Sequence, residues 1–221
     1  RGTGMTARLL FRNARVLDPA SGLDSPGALL VEDGRIAALG PDLARDGVGG
    51  DVEVIDCAGA CLAPGLIDMR VQLGEPGAEH RETLATGGLA AAAGGITTLV
   101  TLPDTEPVID EPALVEFVAR RARDSGLANI RSYAAATKGL QGRALTEMGL
   151  LAQAGAVAFT DGTRAITDAL VMRRALSYAR TFDLLIVQHP EEPSLAAGGA
   201  MNEGEIATRL GLAGIPKEAE I

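Results

Sequence analysis

The sequence predicts an α/β chain in two parts, a small β-sandwich domain followed by repeated strand–helix units. Two observations carry this. Up to Leu62, short apolar runs alternate with Gly, Pro and Asp punctuation, the pattern of short strands joined by tight turns. After Pro64 the rhythm becomes strand, loop, helix, repeated, which is the spacing of parallel strands linked by crossover helices.

In the first part, residues 7–62, the strand candidates are Leu9-Leu10-Phe11, Ala28-Leu29-Leu30-Val31, Ile36-Ala37-Ala38-Leu39 and Val52-Glu53-Val54-Ile55. Asp33-Gly34 separates two of them and is a hairpin signal, because both central positions of such a turn need positive φ. In the second part, residues 63–221, strands are expected at 65–71, 97–101, 129–135, 156–160 and 184–188. Helices are expected near 80–93, 111–125, 143–154 and 168–181. Asp110 precedes a helix with Pro112 in its first turn, and Asn202-Glu203-Gly204-Glu205 has the form of a capping box. Residues 216–221 begin like a helix behind Pro216 and stop within two turns, which reads as a cut inside an element. A closed eightfold barrel takes ~250 residues and only about 160 follow Pro64. Either the second part is an open sheet of five strands, or it is a barrel lacking its C-terminal strands.

Of the 221 residues 47% are apolar and 22% charged, enough to build a buried core. The net charge of −9 excludes the basic surfaces that nucleic acids and anionic membranes require, and 3% aromatics with no Trp removes base-stacking platforms. No apolar run approaches the ~20 residues of a membrane span. Arg1-Gly2-Thr3-Gly4, ahead of Met5, is left out of the fold argument. With no secretory signal and two cysteines, Cys57 and Cys61, a reduced cytoplasmic compartment is the expectation. Their C-x-x-x-C spacing lacks further Cys or His nearby, so both read as small core residues rather than half a zinc site.

The run Ala63-Pro64-Gly65-Leu66-Ile67-Asp68-Met69-Arg70-Val71-Gln72-Leu73-Gly74-Glu75-Pro76-Gly77 resembles the first barrel strand of the amidohydrolase superfamily, and its Glu-Pro-Gly ending is similar to the type I dihydroorotases. The likeness extends along the chain. Gly94-Gly95-Ile96-Thr97-Thr98 resembles the second strand, Leu102-Pro103-Asp104-Thr105 the Met-Pro-Asn-Thr motif, and Lys138-Gly139-Leu140 the third loop. Ala158-Phe159-Thr160-Asp161-Gly162 is similar to Phe-Thr-Asp-Asp-Gly, Gln188-His189-Pro190-Glu191-Glu192 to Gln-His-Cys-Glu-Asp, and 196–205 also matches. The resemblance implies an incomplete TIM-type (β/α) barrel of the amidohydrolase superfamily, in which metal-bound hydroxide opens a cyclic amide in pyrimidine biosynthesis.

Residue by residue, the resemblance leaves Asp161 and His189 as remnant metal ligands, Asp161 being also the family's catalytic position. The strand-one motif Asp-x-His-x-His is replaced by Arg70 and Gln72. A guanidinium does not ligate and repels a cation, while a neutral amide is a poor zinc ligand. At the substrate-binding positions, Gly74 stands for an Arg and Asp104 for an Asn. An Asp104 carboxylate ~4 Å from a substrate carboxylate would cost about 4 kcal/mol at an effective dielectric of ~20. The resemblance also implies that Arg70→His with Gln72→His restores metal binding first, and that turnover further needs Gly74→Arg and Asp104→Asn.

Without the resemblance, His189 reads as a buried, satisfied histidine, Asp161 before a Gly as a turn residue, His80 as a solvated residue at a helix start, and 89–93 as small-residue helix packing. Arg70 has two readings. It pairs with Asp161 in place of a metal, or it extends into solvent. The functional expectation is a catalytically silent dihydroorotase homologue, with no cofactor, acting as a structural partner of aspartate transcarbamoylase and forming homo-oligomers. The alternative is an active cyclic amidohydrolase, dihydroorotase or hydantoinase-like, on a reduced zinc site.

Overall fold

The computed structural model describes residues 8–41, 43 and 51–220. It divides into two compact units at Gly65/Leu66.

The first unit is built on β1 (Arg8–Asp18), β2 (Leu23–Glu32), β3 (Arg35–Gly40), β4 (Glu53–Asp56) and β5 (Cys61–Leu62). They form one mixed sheet in the order β3-β2-β1-β4, with β5 also on β1; β1–β2 and β2–β3 are antiparallel, β1–β4 and β1–β5 parallel. The β2–β3 connection is the Asp33-Gly34 turn, with φ of 51° and 72°, as a two-residue hairpin of this type demands. Leu10, Ala28 and Leu30 make its buried core, flanked by Ala38, Leu43 and Val52. The sandwich expectation thus meets a single sheet among the described residues. The cysteines are not core residues: Cys61 is exposed and Cys57 half-buried, because 57–60 bulges off β1 opposite Asn13, whose φ is 53°.

The second unit begins with β6 (Leu66–Val71), α1 (Leu84–Ala93), β7 (Ile96–Thr101), α2 (Pro112–Ser125) and β8 (Asn129–Ser132). β6, β7 and β8 are parallel neighbours in that order. Beyond Tyr133 the same strand resumes as β9 (Ala134–Ala135), which pairs in parallel with β10 (Phe159–Thr160). Phe159 in turn bridges Ile186 in parallel, completing five adjacent parallel segments. α3 (Met148–Gln153) and α4 (Ala169–Thr181) supply the later crossovers, and α5 (Pro193–Ala196), β11 (Met201–Asn202), α6 (Glu205–Leu210) and β12 (Gly214–Ile215) follow.

Residues alternate faces along these strands. Leu99, Ala134, Phe159 and Ile186 pack on the helix side with Leu84, Val115, Met148 and Val171. Their neighbours Val100, Tyr133, Ala158 and Val187 form a second cluster on the other face, where a barrel has its interior. β6 has no further strand partner among the described residues, and Leu66, Ile67 and Met69 are 62–67% exposed.

Three local expectations need correction. α2 takes Glu111 as N-cap, while Asp110 Oδ2 accepts from Gly139 N at 2.9 Å. Residues 143–147 are not helical, because Leu145 bridges Thr137 and Thr146 donates its hydroxyl to Ala135 O. The capping box at 202–205 does not form. Asn202 is a strand residue, Gly204 at φ 156° is the N-cap, and it has no side chain to bond.

Candidate active site at the carboxyl ends of the strands

Parallel strands leave their carboxyl ends and the following loops on one side, where enzymes of this architecture place their chemistry. Val71 packs on the helix side, so Arg70 and Gln72, on either side of it, face the interior side. Both are exposed. Arg70 forms no ion pair among the described residues, and its backbone N donates to Asp68 Oδ1 at 3.0 Å. Gln72 Nε2 donates to Asp104 Oδ2 at 2.5 Å, across from β6 to the loop after β7. Asp104 also lies against Gly162, where an added Cβ would meet its side chain at 3.6 Å. Beneath this pair the hydroxyl of Tyr133 donates to Met69 O at 2.8 Å, tying β6 to the third strand across β7.

Asp161 is 2% exposed. Thr137 N donates to its Oδ1 at 2.9 Å and Thr137 Oγ1 to its Oδ2 at 2.5 Å, and the backbones of Ala136 and Gly142 also face the carboxylate. Burial raises the Asp161 pKa above the ordinary aspartate range, and the donations from Thr137 oppose that shift. The pairing of Arg70 with Asp161 is not formed: Arg70 is exposed without an ion pair among the described residues, while Asp161 is buried on Thr137. His189 is half-buried, with Nε2 3.8 Å from Glu191 Oε2. Asp161 and His189 are not joined by a third ligand: among the described residues no group of three His, Cys, Asp or Glu is placed to hold a metal ion. A guanidinium and a neutral amide on strand one are not metal ligands of the zinc type, so the described residues alone do not assemble a metal centre.

The loop after β6 explains Gly74. Gly74 N donates to Glu82 O at 3.1 Å and Gly74 O accepts from Ala78 N at 2.6 Å. A Cβ on residue 74 would collide with the carbonyl oxygen of Ala78 and meet that of Glu82 at 2.9 Å. The arginine that the resemblance implies here cannot be added to this backbone, so Gly74→Arg is not a simple restoration. Glu75, 2% exposed, anchors the same loop. It accepts from Leu84 N at the start of α1 (2.9 Å) and from Arg121 Nε on α2 (2.7 Å).

Sequence reasoning missed Thr137, Tyr133 and the Glu75–Arg121 pair. Thr137 had a readable signal: it ends the apolar run 133–136 and immediately precedes Lys138-Gly139-Leu140, so a hydroxyl is buried where a strand meets a functional loop. His80 is exposed in the turn before α1, which starts at Leu84 behind a Thr83/Thr86 capping box.

The dihydro-orotase-like family profile matches residues 59–221. The chain is 46% identical over 222 residues to a dihydroorotase of Syntrophobacter fumaroxidans, covering all of this chain and 50% of that one. The chain belongs to the dihydroorotase-like family. A dihydroorotase of Syntrophotalea carbinolica is also 46% identical, over 97% of this chain and 49% of its own length. This dihydroorotase-like chain thus spans about half the length of the curated relatives it matches. The L-hydantoinase (dihydropyrimidinase) of Arthrobacter aurescens superposes with a TM-score of 0.71 at 22% identity, over 86% of this chain and 42% of that one. That likeness shows the fold alone, a (β/α) barrel of which the dihydroorotase-like chain presents five adjacent parallel strand segments. No helix among the described residues is long and apolar enough to cross a membrane.

Proposed function

We propose that this is a catalytically silent dihydroorotase homologue of pyrimidine biosynthesis that serves as a structural partner of aspartate transcarbamoylase. The observation that carries this reading is the Gln72–Asp104 hydrogen bond. The residue replacing a metal ligand and the residue replacing a substrate-binding amide satisfy one another instead of a cation and a substrate. Asp161 supports it, with both oxygens committed to Thr137, as does Gly74, whose backbone leaves no room for a carboxylate-binding side chain. These polar groups are spent on one another within the chain, which favours a scaffolding role over the binding of a metal-bound nucleophile.

The test is mixing full-length protein with aspartate transcarbamoylase and resolving the mixture by size. Co-elution at micromolar concentration supports the reading, and separate elution counts against the partner. A second reading, an active cyclic amidohydrolase on a reduced metal site, draws on the 46% identity to dihydroorotases. It requires Asp161 to exchange Thr137 for a metal, and ring-opening of dihydroorotate by the full-length protein would establish it.

A further inference from the structure

We infer that the groove between the loops after β9 and β10 and the segment following the fifth strand binds a small anion bearing a terminal phosphate. Its charged lining is Arg143, Arg164 and Glu191, joined by Thr163 and Thr167. None of Arg70, Gln72, Gly74, Asp104, Asp161 or His189 lines it, so it adjoins the site described above without sharing its residues.

The electrostatics of the groove run against those of the chain. The protein carries a net charge of −9, yet two guanidinium groups share this groove with one carboxylate. Neither arginine forms an ion pair among the described residues. The single acid, Glu191, sits 3.8 Å from His189 Nε2. Unpaired guanidinium groups on an acidic protein are available to an exogenous anion, and their planar forks match oxyanions through parallel N–H···O bonds. The threonine hydroxyls of the lining add two more donors, a set richer in donors than a carboxylate needs and better matched to a phosphate.

The backbone that carries each arginine is held in place. Arg164 N donates to Asp161 O at 3.2 Å, and Arg164 Nη1 to Leu140 O at 3.4 Å. Gly142, next to Arg143, donates its N–H to Thr137 Oγ1 at 2.8 Å, and Lys138 N donates to Ala144 O at 2.8 Å on the other side. The buried Thr137–Asp161 pair therefore props both loops, and each loop presents one arginine to the groove. Less of the cost of ordering the loops falls on the binding step.

The experiment is calorimetric titration of the full chain with inorganic phosphate, glycerol phosphate and malonate at constant ionic strength. Saturable binding of phosphate at one per chain is expected, with glycerol phosphate binding at least as tightly. Arg143→Ala and Arg164→Ala should each weaken it about tenfold or more, with Arg164→Lys retaining part of the affinity. Arg123→Ala, in the separate groove between α2 and β8, should leave it unchanged. No saturable phosphate binding at millimolar concentration, equal binding by both arginine-to-alanine variants, or tighter binding of malonate than of phosphate would overturn the inference.

Discussion

Gln72 Nε2 lies 2.5 Å from Asp104 Oδ2, joining the end of the first barrel strand to the loop that follows the second. The resemblance implies a histidine at 72 for a metal and an asparagine at 104 for a substrate. A glutamine with an aspartate serves the fold, because an amide donor and an ionised acceptor are a complementary, charge-assisted pair.

The pair should be measurable as a coupling. Gln72→Ala and Asp104→Ala each remove the bond, and the double variant should lose less than the sum of the two. Gln72 is exposed and Asp104 half-buried, so about 1 kcal/mol of coupling is expected from urea unfolding of the four proteins. Additive losses would mean that the contact contributes nothing.

Gly74→Ala should destabilise by about 2 kcal/mol, because the new Cβ meets the Ala78 and Glu82 carbonyls and the loop must open to admit it. Gly74→Arg should cost at least as much and should not create a carboxylate site. Thermal unfolding of both variants tests this, and wild-type stability in either would show that the loop yields freely.

Thr137→Val keeps the volume but withdraws the hydroxyl from Asp161 Oδ2, leaving a buried carboxylate with one donor fewer. The expected loss is about 2 kcal/mol at neutral pH. The pH dependence has a definite sign. Burial raises the Asp161 pKa in the folded chain, so the stability this group contributes is present below the ordinary aspartate range and is lost as pH rises through the raised value. Carboxylates nearer the surface act oppositely. Asp18, Asp24, Asp56, Glu79 and Glu192 are all lowered by hydrogen bonds and withdraw stability as the pH falls. The difference between wild type and Asp161→Asn isolates the buried group, and wild type should weaken relative to the variant as pH rises from about 4. A difference independent of pH would show that Thr137 fully offsets the burial.

Glu75→Ala should cost about 2 kcal/mol by leaving Leu84 N at the start of α1 without its acceptor. Protection of the α1 amides from hydrogen exchange should fall ahead of the rest of the second unit. Unchanged protection would indicate that α1 does not depend on this anchor.

The parallel strands were legible because period-two alternation and helical spacing are local properties of the chain. Strands expected at 65–71, 97–101 and 129–135 lie on β6, β7 and β8–β9. Local signals misled where a tertiary partner outbid them. Asp110 serves Gly139 rather than capping α2, and 143–147 is held by Thr137 and Ala135 instead of extending α3. At the site, the departures of Arg70, Gln72, Gly74 and Asp104 from the pattern the resemblance implies could be read from residue types. What replaced them could not, because the contacts of Gln72 with Asp104 and of Asp161 with Thr137 join residues 32 and 24 positions apart.

The most direct test of the central claim is the zinc content of full-length protein purified without chelator, with Arg70→His/Gln72→His prepared in parallel. Wild type should carry far less than one equivalent of zinc, and the two-histidine variant should gain zinc without gaining dihydroorotate turnover. One or more equivalents of tightly held zinc in wild type would contradict the account.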